Sequence, residues 1–141
     1  MRPAPRRAPH AWYRPEAMAP PGATRRRLLG PFVALVALHS VAVGAALALA
    51  PRWSAALGGF DPSAAGFFTR QGGVFHLVLG AAYALEWRAA GTVRLLLLAK
   101  TAGTLFLCAT LLGGGAPWAV GVSEAGDAAM LLAALALRPR A

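Results

Sequence analysis

Four stretches of this chain, about 28 to 50, 68 to 88, 93 to 112 and 117 to 137, reach the length of about 20 residues that a helix needs to cross a bilayer. Short, breaker-rich connections separate them: Pro51 with Gly58, Gly59 and Pro62, then Gly91, then Gly113 to Pro117. Connections this short make sequential helices antiparallel, so the expected fold is all-α, a transmembrane up-down four-helix bundle spanning residues 28 to 137. The composition agrees. Of 141 residues, 57% are hydrophobic and 13% charged, with a mean hydropathy of +0.55, which is more apolar surface than a soluble domain of this size can bury.

The charge distribution sets an expected orientation. Seven arginines (Arg2, Arg6, Arg7, Arg14, Arg25, Arg26 and Arg27) crowd the first 27 residues, among six prolines and with no apolar periodicity. Residues 1 to 27 therefore read as a disordered basic tail suited to anionic lipid headgroups. No aromatic-and-basic platform accompanies them, which argues against nucleic acid as a partner. With the tail cytoplasmic, Arg88, Arg94, Arg138 and Arg140 join it on that side, and only Arg52 and Arg70 fall on the other. The positive-inside rule then places both termini, including the 138 to 141 tail, in the cytoplasm of a bacterial inner membrane. Met18 is an alternative start that would remove most of the tail. Thr24 to Leu29 loosely match a twin-arginine export signal, and Ala48 to Ala50 match a cleavage pattern. The apolar run is too long for a signal, Pro51 would follow the cut and three more spans come after it, so an uncleaved first span is expected.

In the first external connection Trp53, Leu57 and Phe60 recur at helical spacing and suit an interfacial position. Asp61 before Pro62 has the pattern of an N-cap and a first-turn proline, which would start the second helix near residue 62 and bring it into the membrane near Arg70.

The residues that look out of place in lipid are His39, His76, Lys100, Glu124 and Asp127, with Arg70 at the boundary. Counted from the cytoplasmic ends, His39 lies about 16 Å up, His76 about 18 Å, Asp127 about 15 Å, Glu124 about 19 Å and Lys100 about 10 Å. A charge at the bilayer centre costs about 2.5–3.5 kcal/mol on insertion scales, so this polar belt must be paired, neutralised or wetted. Lys100 with Asp127, and Arg70 with Glu124, are the expected pairs. Stripes of small residues, Gly72, His76, Gly80 and Ala84 on the second helix and Ser40, Gly44 and Ala48 on the first, point to close helix packing with His76 on the packed face. Lys100, Thr104 and Cys108 form a polar stripe on the third.

Two histidines at one depth suit haem or another tetrapyrrole such as chlorophyll, with Gly44, Gly72 and Gly80 making room for the ring. The same imidazoles with Glu124 and Asp127 suit quinone binding or proton transfer. The single cysteine, Cys108, excludes an intramolecular disulfide and a cysteine metal motif, and no metal site is expected. There is no H-E-x-x-H, Walker loop, G-x-S-x-G or dinucleotide fingerprint, so enzyme classes with those signatures are disfavoured.

In span number, short loops and the R-Q-G-G entry at Arg70 to Gly73, residues 28 to 137 resemble the small four-helix bacterial membrane proteins grouped as DoxX-like and related families of unknown function. The resemblance implies a link to quinol-linked respiratory chemistry and carries no residue roles across. The leading expectation is a non-enzymatic accessory or stabilising subunit, with no cofactor, that contacts other membrane subunits. Its alternative is a redox or proton-handling subunit that binds quinone or haem through His39 and His76.

Overall fold

The computed structural model describes residues 23 to 138, with side chains from Arg27 onward. Most of the basic tail, residues 1 to 22, and residues 139 to 141 lie outside the described residues. The chain is all-helical: α1 (Ala23–Leu49), α2 (Pro51–Leu57), α3 (Phe67–Ala90), α4 (Arg94–Leu112) and α5 (Trp118–Leu137). Among the described residues there are thus five helices where four were expected, and α1 starts five residues early, taking Arg25 to Arg27 into its first turns.

Among the described residues three helices are long and apolar enough to cross a membrane: α1 from Arg27, α4 and α5. The 24-residue α3 is as long, but Arg70, Gln71, His76, Glu86 and Arg88 make it too polar to join them. Apolar side chains on the outside are abundant, with Leu49, Phe68 and Leu112 each more than 80% exposed. In water that pattern would be costly; in lipid it is the expected outer surface.

Local chemistry explains the breaks. Pro51 lacks the N–H that would continue α1, so the helix stops and α2 restarts with proline in its first turn. Ser54 Oγ donates back to the Ala46 carbonyl at 2.9 Å, tying the two helices across the break. On α2 and just beyond it, Trp53, Leu57 and Phe60 are all exposed. The Asp61–Pro62 pair does not start α3. Asp61 Oδ1 instead accepts from the Ser63 N–H and Oγ, both at 2.8 Å, in a local turn whose backbone bonds end at Ala65, and the helix begins only at Phe67. Those bonds to the charged form hold the exposed Asp61 carboxyl below its ordinary pKa. At its other end α3 stops at Gly91, whose φ of 62° is the left-handed cap that glycine adopts without strain.

The helices associate as two antiparallel pairs, α1 with α3 and α4 with α5, with much weaker contact between the pairs. This differs from a bundle with one continuous core. In the first pair the backbones touch. A Cβ on Gly73 would stand 2.6 Å from Ala48 N and 2.7 Å from Gly44 O, and one on Gly80 would stand 2.8 Å from Ala37 O. Near the chain's start the Trp87 ring lies against Gly30 in the same register. Of the expected stripe, Gly80 does meet α1, but its partners on that face are Gly73 and Leu77, whereas Gly72 faces open space.

The two pairs are joined at both ends. At one end Leu29, Val33, Val36, Tyr83, Val93, Leu96 and Ala134 form the buried core. Beside it Glu86 caps the start of α4 from the neighbouring helix: Oε1 accepts from the Arg94 N–H (2.8 Å) and the Thr92 hydroxyl (2.6 Å), and Oε2 from the Leu95 N–H (3.0 Å). The carboxylate meets the positive end of α4, which has no side-chain cap of its own at Val93. At the other end Ala119 N–H donates to Gly58 O at 3.4 Å, and a Cβ on Gly59 would stand 3.0 Å from the Trp118 ring.

Gly73→Ala should cost about 1–3 kcal/mol, because a rigid backbone stands where the methyl must go. Gly72→Ala should stay within about 0.5 kcal/mol of the parent. Thermal melts of the detergent-purified variants compare the two, and equal melting temperatures would refute the close approach. By the same measurement Glu86→Ala should cost about 1–2 kcal/mol, the loss of a helix cap.

Candidate functional site

Between the joined ends the two helix pairs separate, leaving a cleft of about 720 Å³. That is within the roughly 300–1,000 Å³ of small-molecule sites, and its wall is mostly apolar, as such sites are. Val43, Leu47 and Leu79 line it from the first pair and Phe106, Leu107 and Val122 from the second. Most of its ionisable groups gather toward the core end: His39, beside Ser40, from α1, His76 and Tyr83 from α3, Lys100 from α4 and Asp127 from α5. Phe60, Asp61 and Thr69 line the opposite end, under α2 and its following loop.

The strongest interaction at this site is the ion pair between Lys100 Nζ and Asp127 Oδ1, at 2.5 Å. The Lys100 side chain is 5% exposed and that of Asp127 21%. A charge so enclosed needs its partner, and α4 makes room for it: Gly103 lies so close to Asp127 that a Cβ there would stand 2.6 Å from Oδ2. Farther along the α4–α5 contact the Cys108 thiol donates to Glu124 Oε1 at 3.3 Å. Thr104 lies between these two links on α4, its buried hydroxyl without a partner.

Of the six residues singled out from sequence, the structure brings four together, His39, His76, Lys100 and Asp127, at one cleft. The other two lie elsewhere. Glu124 takes the Cys108 thiol, and Arg70 is exposed in a separate recess with Arg52, so the expected Arg70–Glu124 pair does not form. The cause is helix adjacency: α3 packs on α1 and α5 on α4, and the α3 and α5 backbones nowhere come close. His76 also differs from expectation, since it lines the cleft while its neighbours Gly73, Leu77 and Gly80 occupy the packed face. His39 is solvent- or lipid-accessible at the cleft edge.

Haem gripped between the two histidines does not fit. Both come from α1 and α3, whose backbones touch where Gly44 and Gly80 were expected to make room for a ring, so no slot exists between these helices for a macrocycle ligated from both faces. Among the described residues no three His, Cys, Asp or Glu side chains are placed to hold a metal ion.

Tyr83 and Gly103 are site residues that the sequence reading missed. Tyr83, 2% exposed, follows His76 by seven residues, two helical turns, so the i, i+7 spacing was the available signal. Gly103 carried none, because a glycine that accommodates a side chain from another helix looks like any other. No protein-family model, curated protein or solved structure matches this chain.

Asp127→Asn leaves the Lys100 ammonium buried without its counter-charge and should cost about 3–5 kcal/mol. Adding Lys100→Met should recover part of that loss, giving a clear coupling energy in a double-mutant cycle followed by thermal melting in detergent. Simple additivity of the two changes would show that the pair contributes nothing. Gly103→Ala should act on the same link by displacing the carboxylate, at about 1–3 kcal/mol.

Proposed function

We propose that this chain is an integral protein of a bacterial inner membrane whose lateral cleft binds a lipophilic molecule with a hydrogen-bonding head, of the quinone class. The observation that carries this reading is the concentration of His76, Tyr83, Lys100 and Asp127 toward one end of a mostly apolar cleft. A quinone head has carbonyl oxygens that accept from an imidazole N–H or a phenol, and its isoprenoid tail needs the kind of apolar wall the rest of the cleft supplies. Imidazole is also the side chain best suited to pass a proton near neutral pH, which quinone chemistry requires. The proposal takes in the DoxX-like resemblance of residues 28 to 137.

The topology belongs to the same proposal. Four spans, α1, α3, α4 and α5, with both termini cytoplasmic, put Arg88 and Arg94 on the cytoplasmic side and α2 on the outer face. In support, α3 runs antiparallel to α1 along most of its length, and its charged residues sit near its two ends, leaving His76 in the apolar middle. The accessory-subunit reading competes with this one and draws on the basic tail and exposed aromatics.

The test is mass spectrometry of lipids extracted from the gently purified protein, with an oxidised-minus-reduced absorption spectrum. Retained quinone is expected, falling at least tenfold in His76→Ala and in Gly126→Leu. The latter fills the cleft from a position where the nearest atom to a new Cβ is the Met130 methyl at 4.0 Å. A Soret band, or a quinone-free sample that brings down defined protein partners, would overturn the proposal.

A further inference from the structure

A second recess, about 680 Å³ and separate from the cleft, lies where α1 passes into α2 and α3 begins. It is lined by Pro51, Arg52, Trp53, Gly66, Phe67 and Arg70, together with two alanines, and by no acidic residue. Two guanidinium groups from positions eighteen residues apart thus border one hollow without a counter-charge. The nearest loop carboxylate, Asp61, is engaged by Ser63 and lines the other cleft. Among the described residues the single ion pair is Lys100–Asp127, so neither arginine is neutralised within the described chain.

Bringing like charges together costs free energy unless an anion joins them, and arginine's planar fork suits a phosphate that it can meet with two parallel hydrogen bonds. The surroundings match the depth of a lipid headgroup. Trp53 is 61% exposed, and Phe67 and Phe68 still more so; aromatic rings of this kind concentrate at the membrane–water boundary. Arg52 and Arg70 are also the only basic residues between the ends of α1 and α3 that border this face, on a side where the charge pattern is otherwise sparing of them. We infer that Arg52 and Arg70 form a binding site for the phosphate of an anionic phospholipid headgroup, with Trp53 and Phe67 at its apolar margin. The site holds the α1–α2 break to the start of α3 from the lipid side and does not depend on what occupies the cleft.

The experiment is native mass spectrometry of the full-length protein from micelles doped with phosphatidylglycerol or phosphatidylcholine. The double variant Arg52→Gln with Arg70→Gln is compared with a charge-matched control, Arg88→Gln with Arg94→Gln. Phosphatidylglycerol should bind in preference to phosphatidylcholine, and the double variant should retain at least fivefold less of it while the control is little changed. Conversion of both residues to lysine, which keeps charge but loses the fork, should give an intermediate loss and guards against misfolding as the cause. Equal losses in the double variant and the control would reduce the effect to net charge and overturn the site. Displacement of the lipid by millimolar inorganic phosphate would overturn the assignment to a headgroup.

Discussion

The Lys100 ammonium is almost wholly enclosed, and the arrangement of the second helix pair follows from the need to neutralise it. Asp127 meets it from α5, and Gly103 lets that carboxylate lie against the α4 backbone. A buried ion pair of this kind is a modest source of stability compared with apolar packing of the same volume, but its loss on one side alone is severe. That asymmetry makes it a strong determinant of register: α4 and α5 can slide or rotate against one another only by stranding a charge. The Cys108–Glu124 link extends the constraint along the same contact.

The first helix pair is held by the opposite means. Where α4 and α5 use charge, α1 and α3 use the absence of side chains, and Gly44, Gly73 and Gly80 let backbone meet backbone. In lipid, dispersion over such a close contact replaces the hydrophobic drive that is missing between helices. Because each pair satisfies itself, little is left to draw the pairs together along their middles. The core around Leu29 and Leu96, the Glu86 cap on α4 and the docking of Gly58 and Gly59 on the start of α5 join them at their ends instead. The cleft, with most of its ionisable groups gathered at one end, is the space this leaves.

Much of this was legible in the amino-acid order. The apolar runs and their breakers located the long helices, Trp53 and Leu57 marked the surface of α2, and the depths of Lys100 and Asp127 matched closely enough to pair them. The misses have separate causes. A stripe of every fourth residue drifts about 40° per step around a 3.6-residue helix, so Gly72 and Gly80 do not share a face, whereas Gly73 and Gly80, seven apart, nearly do. Depth alone also suggested Arg70 with Glu124, but two groups at reachable heights interact only if their helices are neighbours. Glu86 was passed over because a carboxylate near a helix end looks like an ordinary interfacial charge until the start of another helix is brought against it.

What the sequence determined by itself is the medium and the inventory: an all-helical chain with spans suited to lipid, and a small set of ionisable residues that lipid will not tolerate alone. These follow from transfer free energies and helix periodicity, which act residue by residue along the chain. The tertiary structure alone decided which helices pair, and therefore that His39, His76, Lys100 and Asp127 share one cleft while Arg70 joins Arg52 and Glu124 joins Cys108. The physical reason is that helix adjacency depends on close approaches that a single methyl group would block, as at Gly73 and Gly103, where a Cβ would stand 2.6 Å from a neighbouring atom. Composition and hydropathy do not register such contacts.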